Sequence, residues 1–264
     1  MALSGLPAIR SAMSNRNFRY YTAGNILSHF GSWIQRIAMG WLAWELEESG
    51  LWLGIVAIAE LGPAVVLAPF AGAIADRIDR LRGIRSTQAL ALLQAVALAT
   101  VTYLGLASIT WLIVLAFVRG VIMAFNQPFR FAVLPSLVVR KDLPAAIAIN
   151  SLSFNIARIL GPAVAAMLIA QWGVATAFTV NALTFLAFIA ALFAIKLENP
   201  FKAVPRPLSN IPFEILEGMR YCVRMPGIAQ MFFLMAVVAM CGRAYVELMP
   251  GFVDDVFGRG VDGL

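Results

Sequence analysis

Cysteine, histidine and charge are all scarce in this chain. Two cysteines, Cys222 and Cys241, and a single histidine, His29, are too few for a disulfide framework or a cysteine and histidine metal cluster, so neither metal nor cofactor is expected. Clustered acidic motifs are missing as well, which leaves nothing suited to metal-assisted or acid-base catalysis and argues against an enzyme. Charged residues fill 13% of the 264 positions, where a soluble domain carries about a quarter. No cleavable leader is expected either: the first long apolar segment exceeds the h-region of a signal peptide and has no small-residue cleavage site.

What is present is apolar. Hydrophobic residues make up 61% of the chain and the mean hydropathy is +0.83, far beyond the needs of one soluble core. Apolar windows fall near residues 18–44, 51–75, 84–104, 109–129, 144–170, 174–195 and 226–250. Each approaches the ~20 residues that cross the hydrocarbon of a bilayer. Segments of that length in lipid must satisfy their own backbone groups, as a helix does and an open sheet does not. The fold class expected is therefore an all-α integral membrane protein with seven spans and the lipid bilayer as its surroundings.

The loops alternate in charge. Arg10, Arg16 and Arg19 precede span one; Arg77, Arg80, Arg82 and Arg85 lie between spans two and three; Arg130, Arg140 and Lys141 between four and five; and Lys196, Lys202, Arg206, Arg220 and Arg224 between six and seven. Those fifteen lie on one side, whereas the other side's loops hold Arg259 alone, with Glu45, Glu47 and Glu48. The positive-inside rule then places the N-terminus in the cytoplasm. This distribution also accounts for the net charge of +6 without nucleic acid as a partner. The stretch 197–225 differs, with Pro200, Pro205, Pro207 and Pro212 followed by an amphipathic pattern. It reads as a cytoplasmic linker and surface helix between a six-helix bundle, 1–196, and a seventh span with the start of an outer loop, 226–264.

Several polar residues lie inside the spans. Asn25, Ser28, His29, Ser32, Gln35 and Arg36 recur down one face of span one; Glu60 lies in span two, Arg119 and Asn126 in span four with Arg130 beyond them, and Ser151, Asn155 and Arg158 in span five. Burying a charge in lipid costs about 2.5 to 3.5 kcal/mol on insertion scales, so such groups turn toward a bundle interior. Two readings stay open. The groups line a shared aqueous path, with the ionisable-free spans three and six facing lipid; or they pair among themselves, Arg36 with Glu60 at similar depth and Arg243 with Glu247 one turn apart, while Asn25 and Ser32 satisfy His29. The excess of arginine over carboxylate favours an anionic or acceptor-rich ligand.

After span two the chain reads Gly72-Ala73-Ile74-Ala75-Asp76-Arg77-Ile78-Asp79-Arg80-Leu81-Arg82. This resembles the signature loop of the major facilitator superfamily, which usually has glycine where Asp79 stands. In that reading Gly72 permits close helix approach, and Asp76, with Arg77, Arg80, Arg82 and a neighbour such as Arg130, latches the cytoplasmic side as a gate. Arg119-Gly120 resembles the family's buried arginine motif, linked with proton transfer, and Gly161-Pro162 the motif of its antiporter branch; an ordinary helix break is the other reading of that pair. Leu143-Pro144 through Asn150-Ser151 and Asn17-Phe18-Arg19 are similar to the bacterial exporter branch that includes the enterobactin exporter.

The resemblance implies a secondary active transporter of a bacterial cytoplasmic membrane, exporting drug-like or siderophore-like small molecules in exchange for protons by alternating access. Asn25, Gln35, Arg36, Glu60, Arg119, Asn126, Asn155 and Arg158 are then expected along the substrate and proton pathway. Family members have twelve spans, so a chain closing on Asp262-Gly263-Leu264 is expected to lack most of a second half. The alternative is an inactive fragment with a structural role only.

Overall fold

The computed structural model describes residues 6–197 and 210–258, with the side chains of Leu6 and of 239–246 outside the description. Nine helices account for almost all of it, and no strand occurs among the described residues. A short helix α1 (Leu6–Ser14) precedes seven long ones: α2 (Arg16–Glu47), α3 (Gly50–Ala75), α4 (Arg80–Tyr103), α5 (Ile109–Val133), α6 (Leu143–Trp172), α7 (Val174–Ala194) and, after the short α8 (Ile211–Arg224), α9 (Pro226–Gly251). The apolar windows of the sequence thus coincide with helices.

Polar side chains set where the helices start. Asn15 accepts from the backbone N–H of Asn17 (2.9 Å) and Phe18 (3.4 Å) at the head of α2, and Ser108 does the same for Trp111 (3.4 Å) at the head of α5. Asp79 accepts from the Arg82 N–H at 2.7 Å. Asp79 therefore serves as the N-cap of α4.

Five helices, α3 to α7, are long and apolar enough to cross a membrane by length and composition, and α8 with the start of α9 makes a sixth only if that pair, bent by 99°, is one span. Helix α2 misses that criterion because of its polar stripe, although its 32 residues reach about 48 Å at 1.5 Å per residue. Helix α8 carries Phe213, Leu216, Met219 and Val223 exposed, in keeping with an amphipathic surface helix, while Pro200, Pro205, Pro207, Lys202 and Arg206 fall outside the described residues.

Helix α2 is the centre of the bundle, packed against α7 and α6, with α3 on α5 and α4 between α5 and α7. One apolar cluster, including Trp41, Trp44, Leu53, Leu98, Leu112 and Phe178, fills the end away from the basic loops. Another, including Phe18, Tyr21, Ile84, Phe129, Leu137 and Phe188, fills the basic end. A polar layer lies between them. Gly31 lets α2 approach α7, since a Cβ there would stand 2.0 Å from Thr184 Oγ1 and 2.3 Å from Asn181 Oδ1. Small residues of this kind bring helix backbones together where no hydrophobic effect drives them.

Two expectations are corrected here. Spans three and six do not simply face lipid: Gln88 and Gln94 of α4 and Asn181 of α7 are buried. Gln35 of α2 donates to Gln94 Oε1 at 2.9 Å and accepts from Asn181 Nδ2, so uncharged amides tie these two helices to α2. The least buried of the five is α3, with 17% of its most apolar stretch inside the bundle against 44% for α4. Gly72, read as a point of close approach, has nothing within 4 Å of an added Cβ. The tight contact lies at Gly120 of α5, where a Cβ would stand 2.2 Å from the Glu60 carbonyl oxygen.

Candidate functional site: a charged cavity within the bundle

A cavity of about 530 Å³ opens in the polar layer, walled by α2, α3, α5, α6 and α9. Arg36, Glu60, Arg119, Asn126 and Arg158 of the expected pathway all line it, joined by His29, Arg130 and Glu247. Arg119 and Arg158, from different helices, therefore face one space. Asn25, Gln35 and Asn155 do not line it. Asn25 lies behind the wall, donating to Asn150 Oδ1 at 2.9 Å; Gln35 is in the α2–α4–α7 amide cluster; and Asn155 donates back to the Ser151 carbonyl of its own helix (2.8 Å).

The charges pair differently from the sequence reading. Glu60 is bonded to Arg119, not to Arg36, and Arg36 reaches across to Glu247. Arg119 sits directly above the Gly120 contact between α3 and α5, which brings the Glu60 carboxylate to it, and its second Nη donates to the Ser32 carbonyl at 3.0 Å. Glu247 is thus engaged by α2, while the Arg243 side chain lies outside the described residues. The guanidinium of Arg36 also rests over the Trp33 ring, 5.5 Å from its centroid. Both ion pairs cross helices, so each links charge in the cavity to bundle geometry.

Among the described residues, no carboxylate holds Arg130. Its Nε donates to Asn126 Oδ1 at 2.6 Å, one Nη to Ser28 Oγ at 2.7 Å and the other to Asn25 Oδ1. The guanidinium also lies 4.9 Å from the Phe188 ring centroid. The expected Asp76–Arg130 latch is absent: Arg130 points into the bundle from within α5, whereas Asp76 is exposed at the end of α3. Of the other loop arginines, Arg77 donates to both carboxylate oxygens of Glu214 on α8 (2.8 and 2.9 Å). Arg80 donates to Ser136 Oγ at 3.5 Å, and Arg82 is exposed. The loop motif therefore fastens the α3–α4 connection to α8 and the head of α4 to the turn after α5.

His29 is not satisfied by its neighbours as expected. Asn25 is committed to Asn150 and Arg130, and Ser32 donates to the Ser28 carbonyl at 2.7 Å. The imidazole packs edge-on against Phe154, 5.3 Å between centroids, and its buried Nε2 has no hydrogen-bond partner. Gly161 packs on Trp33, where a Cβ would stand 2.6 Å from the Trp33 Cβ. Pro162 lies inside a continuous α6, so the pair is a packing contact and not a helix break. Gln127 and Phe154, which also line the cavity, escaped the sequence reading. Gln127 follows Asn126, and Phe154 lies one turn from Arg158, but neither type stands out in an apolar helix.

The transmembrane secretion effector family profile matches residues 9–260. The chain belongs to this family of major facilitator transporters. It is 30% identical over 241 residues to the staphyloferrin A transporter of Staphylococcus aureus, covering 90% of this chain and 60% of that protein. It is 28% identical to the multidrug efflux pump Tap of Mycolicibacterium fortuitum over 72% of this chain and 48% of that protein. Macrolide efflux protein A of Streptococcus pyogenes is 24% identical over 78% and 51%. The fold matches a bacterial homologue of the human lysosomal transporter Spinster in an inward-facing, unoccupied conformation, with a TM-score of 0.72 at 15% identity, covering 94% of this chain and 57% of that one. This chain thus spans about half to three-fifths of the length of these relatives.

Proposed function

We propose that the chain serves secondary active transport of small molecules across a bacterial cytoplasmic membrane, by proton-coupled export, with its N-terminus in the cytoplasm. The observation that carries this reading is the single cavity into which α2, α3, α5, α6 and α9 all turn charged side chains. Family membership supports transport, the fifteen basic loop residues on one side support the orientation, and the efflux relatives support export. In this reading Arg36, Glu60, Arg119 and Arg158 lie in the path. Asp76 with Arg77, Arg80 and Arg82 belongs to the cytoplasmic gate, which works through the Arg77–Glu214 bridge to α8. Asn25, Asn126 and Arg130 form the layer beneath it, and Gln35 and Asn155 support the wall.

Glu60 is the carboxylate suited to alternate between a proton and Arg119. Protonation releases Arg119, and substrate and proton then favour different arrangements of the helices, which is what coupling requires. The test uses proteoliposomes carrying the chain joined to the part of the staphyloferrin A transporter that it does not span. Uptake of a macrolide or of staphyloferrin A driven by a pH gradient is expected. Glu60→Gln, which keeps the shape but cannot ionise, is expected to make that uptake insensitive to the gradient. Unchanged gradient-driven transport by Glu60→Gln removes Glu60 from the mechanism.

A further inference from the structure

We infer that the cavity is a binding site for an organic anion carrying carboxylates on an aromatic or similarly flat body, held between Arg158 of α6 and His29 of α2 beside the Arg130 cluster. The inference rests on the transport reading for its purpose, but its evidence is the charge balance of the walls. Four arginines line the space, Arg36, Arg119, Arg130 and Arg158, against two carboxylates, Glu60 and Glu247. Four minus two leaves two positive charges before any proton on His29 is counted. Each carboxylate is already taken, by Arg119 and by Arg36. Arg130 is surrounded by neutral acceptors alone. Arg158 makes no ion pair among the described residues, is exposed, and lines the cavity.

A guanidinium cannot lose its proton to relieve this imbalance, and the low-dielectric walls of a cleft lined by one sign of charge strengthen its attraction for an anion. The planar fork of Arg158 matches a carboxylate in two parallel hydrogen bonds. His29 supplies an independent pointer: the residue is 7% exposed, it lines the same cavity, and its buried Nε2 has no hydrogen-bond partner. That nitrogen donates to the anion when it carries the ring proton. Trp33 and Phe154, with ring centroids 6.2 Å apart, also line the space and give it an aromatic wall suited to an apolar body. A cationic ligand would meet two uncompensated arginines and, among the described residues, no free carboxylate.

Binding is testable on the chain itself in nanodiscs, read by Trp33 fluorescence, with Trp33→Phe identifying the part of the signal that arises in the cavity. The probes are benzene-1,3,5-tricarboxylate, the neutral benzene-1,3,5-tricarboxamide and benzyltrimethylammonium. Saturable quenching by the tricarboxylate is expected, with binding at least tenfold weaker for the other two. Arg158→Gln is expected to weaken the tricarboxylate by about tenfold or more, the scale of one charge-assisted bond. Arg158→Lys is expected to recover part of that loss, and His29→Ala to weaken binding less than Arg158→Gln does. Equal or tighter binding of the ammonium probe, or tricarboxylate binding unchanged in Arg158→Gln, overturns the inference. Binding of the tricarboxylate by a chain whose joined form shows no gradient-driven uptake upholds the site and refutes the transport reading. Gradient-driven uptake confined to cationic compounds does the reverse.

Discussion

Gly120→Ala is expected to destabilise the bundle by about 3 kcal/mol, the upper end of the range for overpacking. The added Cβ would stand 2.2 Å from the Glu60 carbonyl oxygen and 2.9 Å from its carbonyl carbon. Both obstacles are backbone, so no side-chain rotation relieves them and α5 must move away from α3. The same movement draws Arg119 from Glu60, adding a weakened ion pair to the strain. Gly72→Ala, with nothing within 4 Å of the added carbon, is the matched control and is expected to leave the apparent melting temperature in detergent where it was. Equal melting temperatures for the two variants would refute the close α3–α5 contact.

Glu60→Ala is expected to destabilise by about 3 to 5 kcal/mol, the scale of breaking one side of a buried ion pair. Arg119→Ala is expected to cost distinctly less. The asymmetry follows from chemistry: a carboxylate left alone in an apolar setting can neutralise itself by taking up a proton, whereas a guanidinium stays charged. Arg119 would keep only the Ser32 carbonyl as an acceptor. Replacing both residues by well-packed apolar ones is expected to recover much of the loss, since a buried pair contributes little net stability against apolar isosteres. The measurement is chemical denaturation of each variant in the same micelles, with the two single changes ranked against each other. Arg119→Ala falling at or below Glu60→Ala in stability would contradict the pairing.

Much of the fold was legible because a bilayer imposes a length and a composition that the sequence displays openly. The windows 51–75 and 174–195 correspond to Gly50–Ala75 and Val174–Ala194. The cavity was legible in part, since Arg36, Glu60, Arg119 and Arg158 are conspicuous in apolar helices and indeed meet. Their partners were not. Helical spacing fixes which face a side chain occupies but not the rotation of one helix against another, so Arg36 went to Glu247 on a helix distant in sequence and left Glu60 to Arg119. The amides Gln35, Gln94 and Asn181 were missed as a group because an uncharged residue in a span gives a weak signal until its partner is in view. Gly72 was read for packing by its place in a motif, while the contact that limits approach belongs to Gly120, whose neighbour across the helix pair only the three-dimensional arrangement reveals.

Reactivity of single cysteines toward a water-soluble, negatively charged methanethiosulfonate, in membranes and with Cys222 and Cys241 replaced by serine, asks directly whether the charged side chains share an aqueous space. Ser32→Cys, Gln127→Cys and Arg158→Cys, all at the cavity, are expected to react rapidly. Leu90→Cys and Leu186→Cys, exposed on the outside of α4 and α7, are expected to stay unmodified in lipid. Rapid labelling of the two leucine positions, together with protection of Ser32→Cys and Arg158→Cys, would contradict a shared cavity.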